Sequence, residues 1–180
     1  GYVGQDWFWA LEGYTRTFDG VVTVNGADDP NDELDDILGG EGLSYGADLL
    51  IRKEVGTVTG WVTLSFLKAD RTFPDTYSPF IPQPDVTYPP IFDRRIDFDL
   101  VLRYPLPGGW DGGLRWNFGT GIPYTRPIGA HRYYLPDFLR EQGLLDRDGN
   151  AVVLGERNGS RYAPYHRLDL SFRKTFEKTW

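Results

Sequence analysis

Asp97 and Asp99 stand two residues apart in a stretch that alternates charged with apolar side chains. On an extended strand that spacing puts both carboxylates on one face, about 6–7 Å apart, a separation that suits two acids flanking a glycosidic bond. Strand alternation generates such pairs routinely, and Arg95 and Arg103 fall on the same face, so ion pairing rather than acid–base catalysis is the chemistry expected of them. Asp28, Asp29, Asp32, Glu33, Asp35, Asp36 and Glu41 form an acidic run with no intervening base. Oxygen-rich runs can bind Ca²⁺, but Pro30 and Asn31 break the spacing of a calcium loop and no Gly holds its turn position, which leaves a solvated acidic loop as the expectation.

His131 and His166 are the two histidines of a chain without Cys, and neither has a further ligand at metal spacing on its own element, so zinc chemistry has no foundation. Gly119-Thr120-Gly121 lacks the third glycine and the helix of a dinucleotide fingerprint, and Asn158-Gly159-Ser160 fits a glycosylation acceptor that arises often by chance. No catalytic residue, cofactor or metal ligand is therefore expected, and the chain reads as a protein that is not an enzyme. The side chains left to meet a ligand are the aromatics Tyr133, Tyr134 and Phe138, carried on the longest connection.

The elements that must position these residues are strands. The 180 residues carry 19 Lys+Arg against 26 Asp+Glu, a formal charge of −7 that speaks against a nucleic-acid surface. With 22 Gly, 13 Pro and 16% aromatic residues, the chain is too rich in large apolar side chains for disorder and too rich in breakers for a helical bundle, which favours an all-β fold. The longest stretch free of charge, Val55 to Leu67, is far shorter than the about 20 apolar residues of a membrane-spanning helix. Gly1 to Leu11 has no basic region, apolar run and cleavage site in succession, so no signal peptide is read, and the missing initiator Met suggests a fragment or processed form.

A period of two recurs in six segments. Trp7, Trp9 and Leu11 oppose Ala10, Glu12, Tyr14 and Arg16. Leu43, Tyr45, Ala47, Leu49 and Ile51 oppose Ser44, Gly46, Asp48, Leu50 and Arg52. Val58, Gly60, Val62, Leu64 and Phe66 oppose Thr57, Thr59, Trp61, Thr63 and Ser65. Ile96, Phe98, Leu100, Leu102 and Tyr104 alternate with Arg95, Asp97, Asp99, Val101 and Arg103, a pattern that a helix would scatter around its circumference. Trp110, Leu114, Trp116 and Phe118 oppose Asp111, Arg115 and Asn117, and Leu168, Leu170, Phe172 and Phe176 oppose Arg167, Asp169, Ser171 and Arg173. Each segment is about the 9–11 residues of a tilted membrane-spanning strand.

The connections alternate in length. Glu54 to Gly56 and Pro105 to Gly109 are tight hairpins, whereas Asp19 to Gly42, Asp70 to Arg94 and Ile122 to Tyr162 are long. Within the last, Pro136 to Leu145 suits a short helix and Ala151 to Leu154 a hairpin strand. Short turns at one rim and long loops at the other are the asymmetry of outer-membrane barrels, so the fold expected is all-β, with antiparallel up-and-down transmembrane β-barrel strands. The apolar face then meets lipid and the charged face lines a wet interior, where acids and arginines of neighbouring strands pair. The rival is a soluble β-sandwich carbohydrate-binding module, with the same apolar face turned into a core.

Gly40-Glu41-Gly42-Leu43-Ser44-Tyr45-Gly46-Ala47-Asp48-Leu49-Leu50, followed by a short turn and Gly60-Trp61-Val62, resembles a strand pair of TonB-dependent outer-membrane receptors. Phe92 to Tyr104, Gly119 to Thr125 and Tyr162 to Leu170 resemble later strands of the same barrel. The resemblance implies that residues 1–180 supply about six strands from the later part of a 22-stranded barrel, without plug domain, TonB box or signal peptide. It implies the outer membrane of a Gram-negative bacterium as location, outer-membrane lipid as surroundings, and the TonB system as a partner reached through the missing plug. The function it implies is import of a scarce nutrient of the siderophore, cobalamin or glycan class.

Overall fold

The computed structural model describes residues 2–3, 6–24, 37–74, 85–133 and 149–176. The chain is all-β, and its long strands follow one another up and down in an antiparallel sheet. After the short β1 (Tyr2–Val3) come β2 (Trp7–Val24), β3 (Ile37–Lys53) and β4 (Thr59–Phe73), then the three-residue β5 (Val86–Tyr88), β6 (Ile96–Leu106) and β7 (Trp110–Gly119). The last long strand is β12 (Tyr165–Lys174). Spatial order is β1-β2-β3-β4-β6-β7-β12, with β5 also against β4, so each long strand lies beside its neighbour in sequence. Among the described residues the sheet keeps two open edges and does not close on itself.

Alternation dictates which side chains share a face, and the register lines them up across strands. One apolar row runs Trp9, Ile51, Val62, Leu100, Trp116, Leu168, and the next runs Leu11, Leu49, Leu64, Phe98, Phe118 and ends at the polar His166. Phe98 and Trp116 meet edge to face at 5.2 Å. Among the described residues no second sheet covers this band: Leu11, Leu168, Leu170 and Phe172 are all exposed, the last at 66%. Among the described residues the buried apolar side chains include Ala69, Phe73, Tyr88 and Pro123, at one end of the sheet rather than along its middle.

The opposite face carries the charges. Asp99 of β6 pairs with Arg115 of β7 at 3.6 Å, and Asp111 of β7 lies 3.3 Å from both Arg103 of β6 and Arg173 of β12. These are the cross-strand pairings that the sequence led us to expect of that face. Arg167 and Asp169 pair at 2.8 Å along one strand.

Three features depart from the expected layout. First, β2, β3 and β4 hold 18, 17 and 15 residues, well beyond a membrane-spanning length, because pairing continues past the apolar band into polar sequence. The long connection expected over Asp19 to Gly42 is thus partly ladder, with Val24 paired to Ile37. Second, Gly20, at φ 72°, is an extra residue between Asp19 and Val21, and this bulge exchanges the faces of everything after it. Third, the connection expected over Ile122 to Tyr162 contains paired structure: β8 (Pro123–Tyr124) pairs with β11 (Ser160–Arg161), and β9 (Pro127–Tyr133) with β10 (Gly149–Leu154). The strand expected at Ala151 to Leu154 is therefore present, whereas the helix expected over Pro136 to Leu145 falls outside the described residues. So does the acidic run, apart from Glu41, which sits in β3 opposite Asp19 and Thr72.

The tight turns use glycine where the backbone demands it. Gly108 and Gly109 join β6 to β7 at φ 73° and 76°, in the left-handed region that a Cβ disfavours. Gly108→Val is expected to destabilise the folded sheet by about 1–2 kcal/mol, while Gly108→Asn, a residue that tolerates this region, costs less than half as much. Denaturant titration of the two variants checks the difference, and equal costs would mean that the turn conformation is not the constraint.

Candidate functional site

The buried residues mark where the sheet becomes something more than a single layer. Pro89 and Pro90 follow β5, and proline has no N–H to give a ladder, so pairing along β4 stops there and resumes at Ile96. Between the two stretches, Leu67 to Asp70 of β4 face the seven residues Pro89 to Arg95. The orphaned β4 amides are met in two ways. Leu67 N–H donates to the Arg95 carbonyl at 3.1 Å, and Ala69 N–H donates to the Asp93 carboxylate Oδ1 at 2.8 Å. A side chain has taken the place of a backbone carbonyl.

Asp93 is 0% exposed, and its charge is compensated from two sides. Arg95 Nε donates to Oδ2 at 2.9 Å. Arg161 of β11 donates to the same oxygen through one nitrogen, and through the other to the carbonyls of Asp93, at 2.6 Å, and Gly121, at 3.1 Å. One guanidinium thereby ties the β7–β12 connection to the interruption in the β5–β6 edge. Gly121 allows the approach, because a Cβ there would collide with the Tyr162 carbonyl. Tyr124 and Tyr162 stack beside it at 4.3 Å.

A second tie lies a few residues away. Asn158, at φ 53°, accepts through Oδ1 from the Thr125 hydroxyl, donates its own backbone N–H to Thr125 Oγ1 at 3.0 Å, and donates Nδ2–H to the Pro89 carbonyl at 2.8 Å. Its amide is thus spent on holding the turn, which gives the Asn158-Gly159-Ser160 motif a structural use. Arg157 reaches across to β2, donating to Thr23 Oγ1 at 2.7 Å, with its guanidinium 4.4 Å from the centre of the Tyr88 ring. Tyr88 stacks on Phe73 at 5.7 Å. Between these contacts and the β9–β10 hairpin lies a cavity of 680 Å³, its walls including Val24, Leu38, Phe73, Tyr88 and Leu154, with Arg157 and Glu156 beside them.

Chemically this end of the sheet offers a surface for binding. Apolar walls with one guanidinium and one carboxylate suit a ligand that is mostly apolar with a few polar groups. Among the described residues, no cluster of His, Asp and Glu gathers as for a metal ion. The ligand-contact residues proposed from sequence are not placed in this site. Tyr133 ends β9, paired with Gly149, and its side chain lies outside the described residues, as do Tyr134 and Phe138 altogether. Asp97 and Asp99 are held by arginines, Asp97 by Arg94 at 2.7 Å and Asp99 by Arg115. The sequence reading missed Asp93, Arg161, Arg157 and Asn158. The signal that marked Asp93 was the Pro89-Pro90 break within an otherwise continuous strand edge.

The chain matches no protein-family model, no curated protein and no solved structure.

Asp93→Ala leaves two guanidinium groups and the Ala69 amide without their carboxylate, and is expected to cost about 3–5 kcal/mol. Asp97→Asn, in an exposed pair, stays within about 1 kcal/mol. Denaturation curves measure both, and limited proteolysis gives a second readout: with the tie cut, trypsin cleaves at Arg157 and Arg161 at concentrations that leave the parent chain whole. An Asp93→Ala protein as stable and as resistant as the parent would show that the tie does not hold the connection.

Proposed function

We propose that the chain forms part of the wall of an outer-membrane β-barrel of the TonB-dependent receptor kind, whose work is to import a scarce nutrient. The observation that carries this reading is the sheet with two unlike faces: an apolar band on one, and on the other acids paired with arginines across neighbouring strands. A sheet facing water on both sides has no use for the first, and one buried on both sides has no use for the second. At about 3.3 Å per residue and a tilt of 35–45°, the 11 residues of β6 rise about 25–30 Å, the height of an outer-membrane apolar band. The open edges support a wall segment rather than a whole barrel, since membrane barrels hold at least about eight strands and leave no edge in lipid.

The rim cavity takes its place in this reading. It lies at the end where the long connections gather, away from the tight turns, and long connections face outside the cell in such barrels. Substrate capture then begins at the surface formed by Tyr88, Arg157 and the β9–β10 hairpin. The soluble sandwich has less support, because the described residues contain no sheet facing Leu49, Leu64, Leu100 and Trp116.

The absence of Cys makes the topology measurable with single introduced thiols. In cells producing the protein, an impermeant maleimide added outside labels Val152→Cys, while Val55→Cys reacts only after the outer membrane is opened. Deleting the gene abolishes uptake of one nutrient among iron-siderophore complexes, cobalamins and glycans, in a manner dependent on inner-membrane energy. Recovery of the protein in the soluble fraction, or labelling of Val55→Cys alone, overturns the reading. A second test bears on the faces: Leu100→Arg in mid-strand costs about 2–4 kcal/mol on refolding into lipid, and Asp99→Asn costs much less. Equal costs would mean that the apolar face does not meet lipid.

A further inference from the structure

Lysine and arginine are sorted by face. All three lysines among the described residues, Lys53, Lys68 and Lys174, share the face of the apolar set, whereas Arg16, Arg52, Arg71, Arg103, Arg115, Arg167 and Arg173 of the long strands lie on the charged face. Each lysine lies across an aromatic ring of the neighbouring strand, opposite it in register. Lys53 Nζ is 5.2 Å from the Trp7 ring centre, Lys68 Nζ 5.9 Å from that of Tyr45, and Lys174 Nζ 5.3 Å from Trp110 and 5.2 Å from Phe176. Lys68 also has Asp70 at 3.2 Å, while Lys53 and Lys174 have no carboxylate partner among the described residues.

Position along the strands adds the second half of the pattern. Lys53 and Lys174 stand at the tight-turn end, where Lys53 pairs with Gly60 and Lys174 with Trp110. Lys68 stands eight residues beyond Gly60 on β4, about 27 Å along the strand and about 20 Å in height at the tilt of a barrel. The lysines therefore bracket the apolar band, one end against the other. The two residue types differ in the chemistry that would sort them this way. A guanidinium is a planar fork suited to fixed carboxylates, and the charged face supplies those. An ammonium is a point charge on a flexible four-carbon stem, able to lie along apolar surface and put its charge beyond the edge of the band.

Resting on the membrane-wall reading, we propose that Lys53, Lys68 and Lys174 are sites for the phosphates of lipid headgroups. Each ring beneath supports the apolar stem and holds the ammonium at the interface, and the sites at the two ends together fix the depth at which the sheet sits in its bilayer. The occupant is a lipid phosphate because the charge required is negative, the position is the edge of a hydrocarbon band, and among the described residues Lys53 and Lys174 have no carboxylate to satisfy them.

The test compares the 180-residue chain with its Lys53→Gln/Lys68→Gln/Lys174→Gln variant by flotation with two kinds of vesicle, phosphatidylcholine alone and phosphatidylcholine mixed with phosphatidylglycerol. The parent is expected to prefer the anionic vesicles, and the triple variant to lose about five-fold of that preference for each interfacial lysine removed, with its strand signal in circular dichroism unchanged. Replacing the same lysines with arginine restores the preference, and Arg126→Gln, which removes a charge from a connection, leaves it intact. Lys174→Gln alone gives the single-site step if the triple variant fails to fold. A triple variant that floats with the anionic preference of the parent overturns the lysine sites and leaves the wall reading standing. A parent chain that floats with neither vesicle overturns both.

Discussion

Everything in this structure follows from one constraint: a single-layer sheet satisfies its backbone hydrogen bonds within the ladder but has no interior. Each residue has to face one side or the other, and among the described residues neither side is covered along the middle of the sheet. A protein with a core can mix polar and apolar side chains at its surface at little cost. Here the two faces differ in kind, with the row from Trp9 to Leu168 on one and the paired set around Asp99 and Asp111 on the other. The same constraint sorts lysine from arginine.

Among the described residues the chain builds depth at one end, and it does so where the ladder fails. The interruption at Pro89 and Pro90 removes backbone partners from β4, and Asp93 supplies one from its side chain. A buried carboxylate needs compensation, and Arg95 brings it from within the interruption while Arg161 brings it from β11. The interruption in one edge therefore gathers the segment around Arg161 to it. Arg157 and Asn158 extend the same gathering toward β2 and β5, and the 680 Å³ cavity lies beneath the result. Binding capacity and structural tie are consequences of the same broken pairing.

The strand pattern was legible from residue types alone. Alternation at Arg95 to Tyr104 and at Leu43 to Lys53 named the faces correctly, because side chains on an extended chain point alternately to either side whatever the tertiary context. The pairing of Asp99 with Arg115 and of Asp111 with Arg103 and Arg173 was foreseeable as a class, since both signs shared a face on adjacent strands. The bulge at Gly20 was not foreseeable. A single extra residue reverses the parity of Val21 to Val24, and only the register of the partner strand reveals which residue is extra. Thr23 reaches Arg157 for that reason.

The sequence by itself determined the class of element, the two faces, the tight turns at Gly56 and Gly108-Gly109, and the absence of any helix able to cross a membrane, all properties of residues within a few positions of one another. Tertiary structure alone decided that Asp93, Gly121 and Arg161 meet, though as many as 68 positions separate the aspartate from the arginine, and that Arg157 lies against a strand 134 positions away. The physical reason is range. Steric and periodic preferences act between neighbours and are written in the local pattern, whereas a buried charge finds its counterion through the path of the whole chain, and no local pattern records that path.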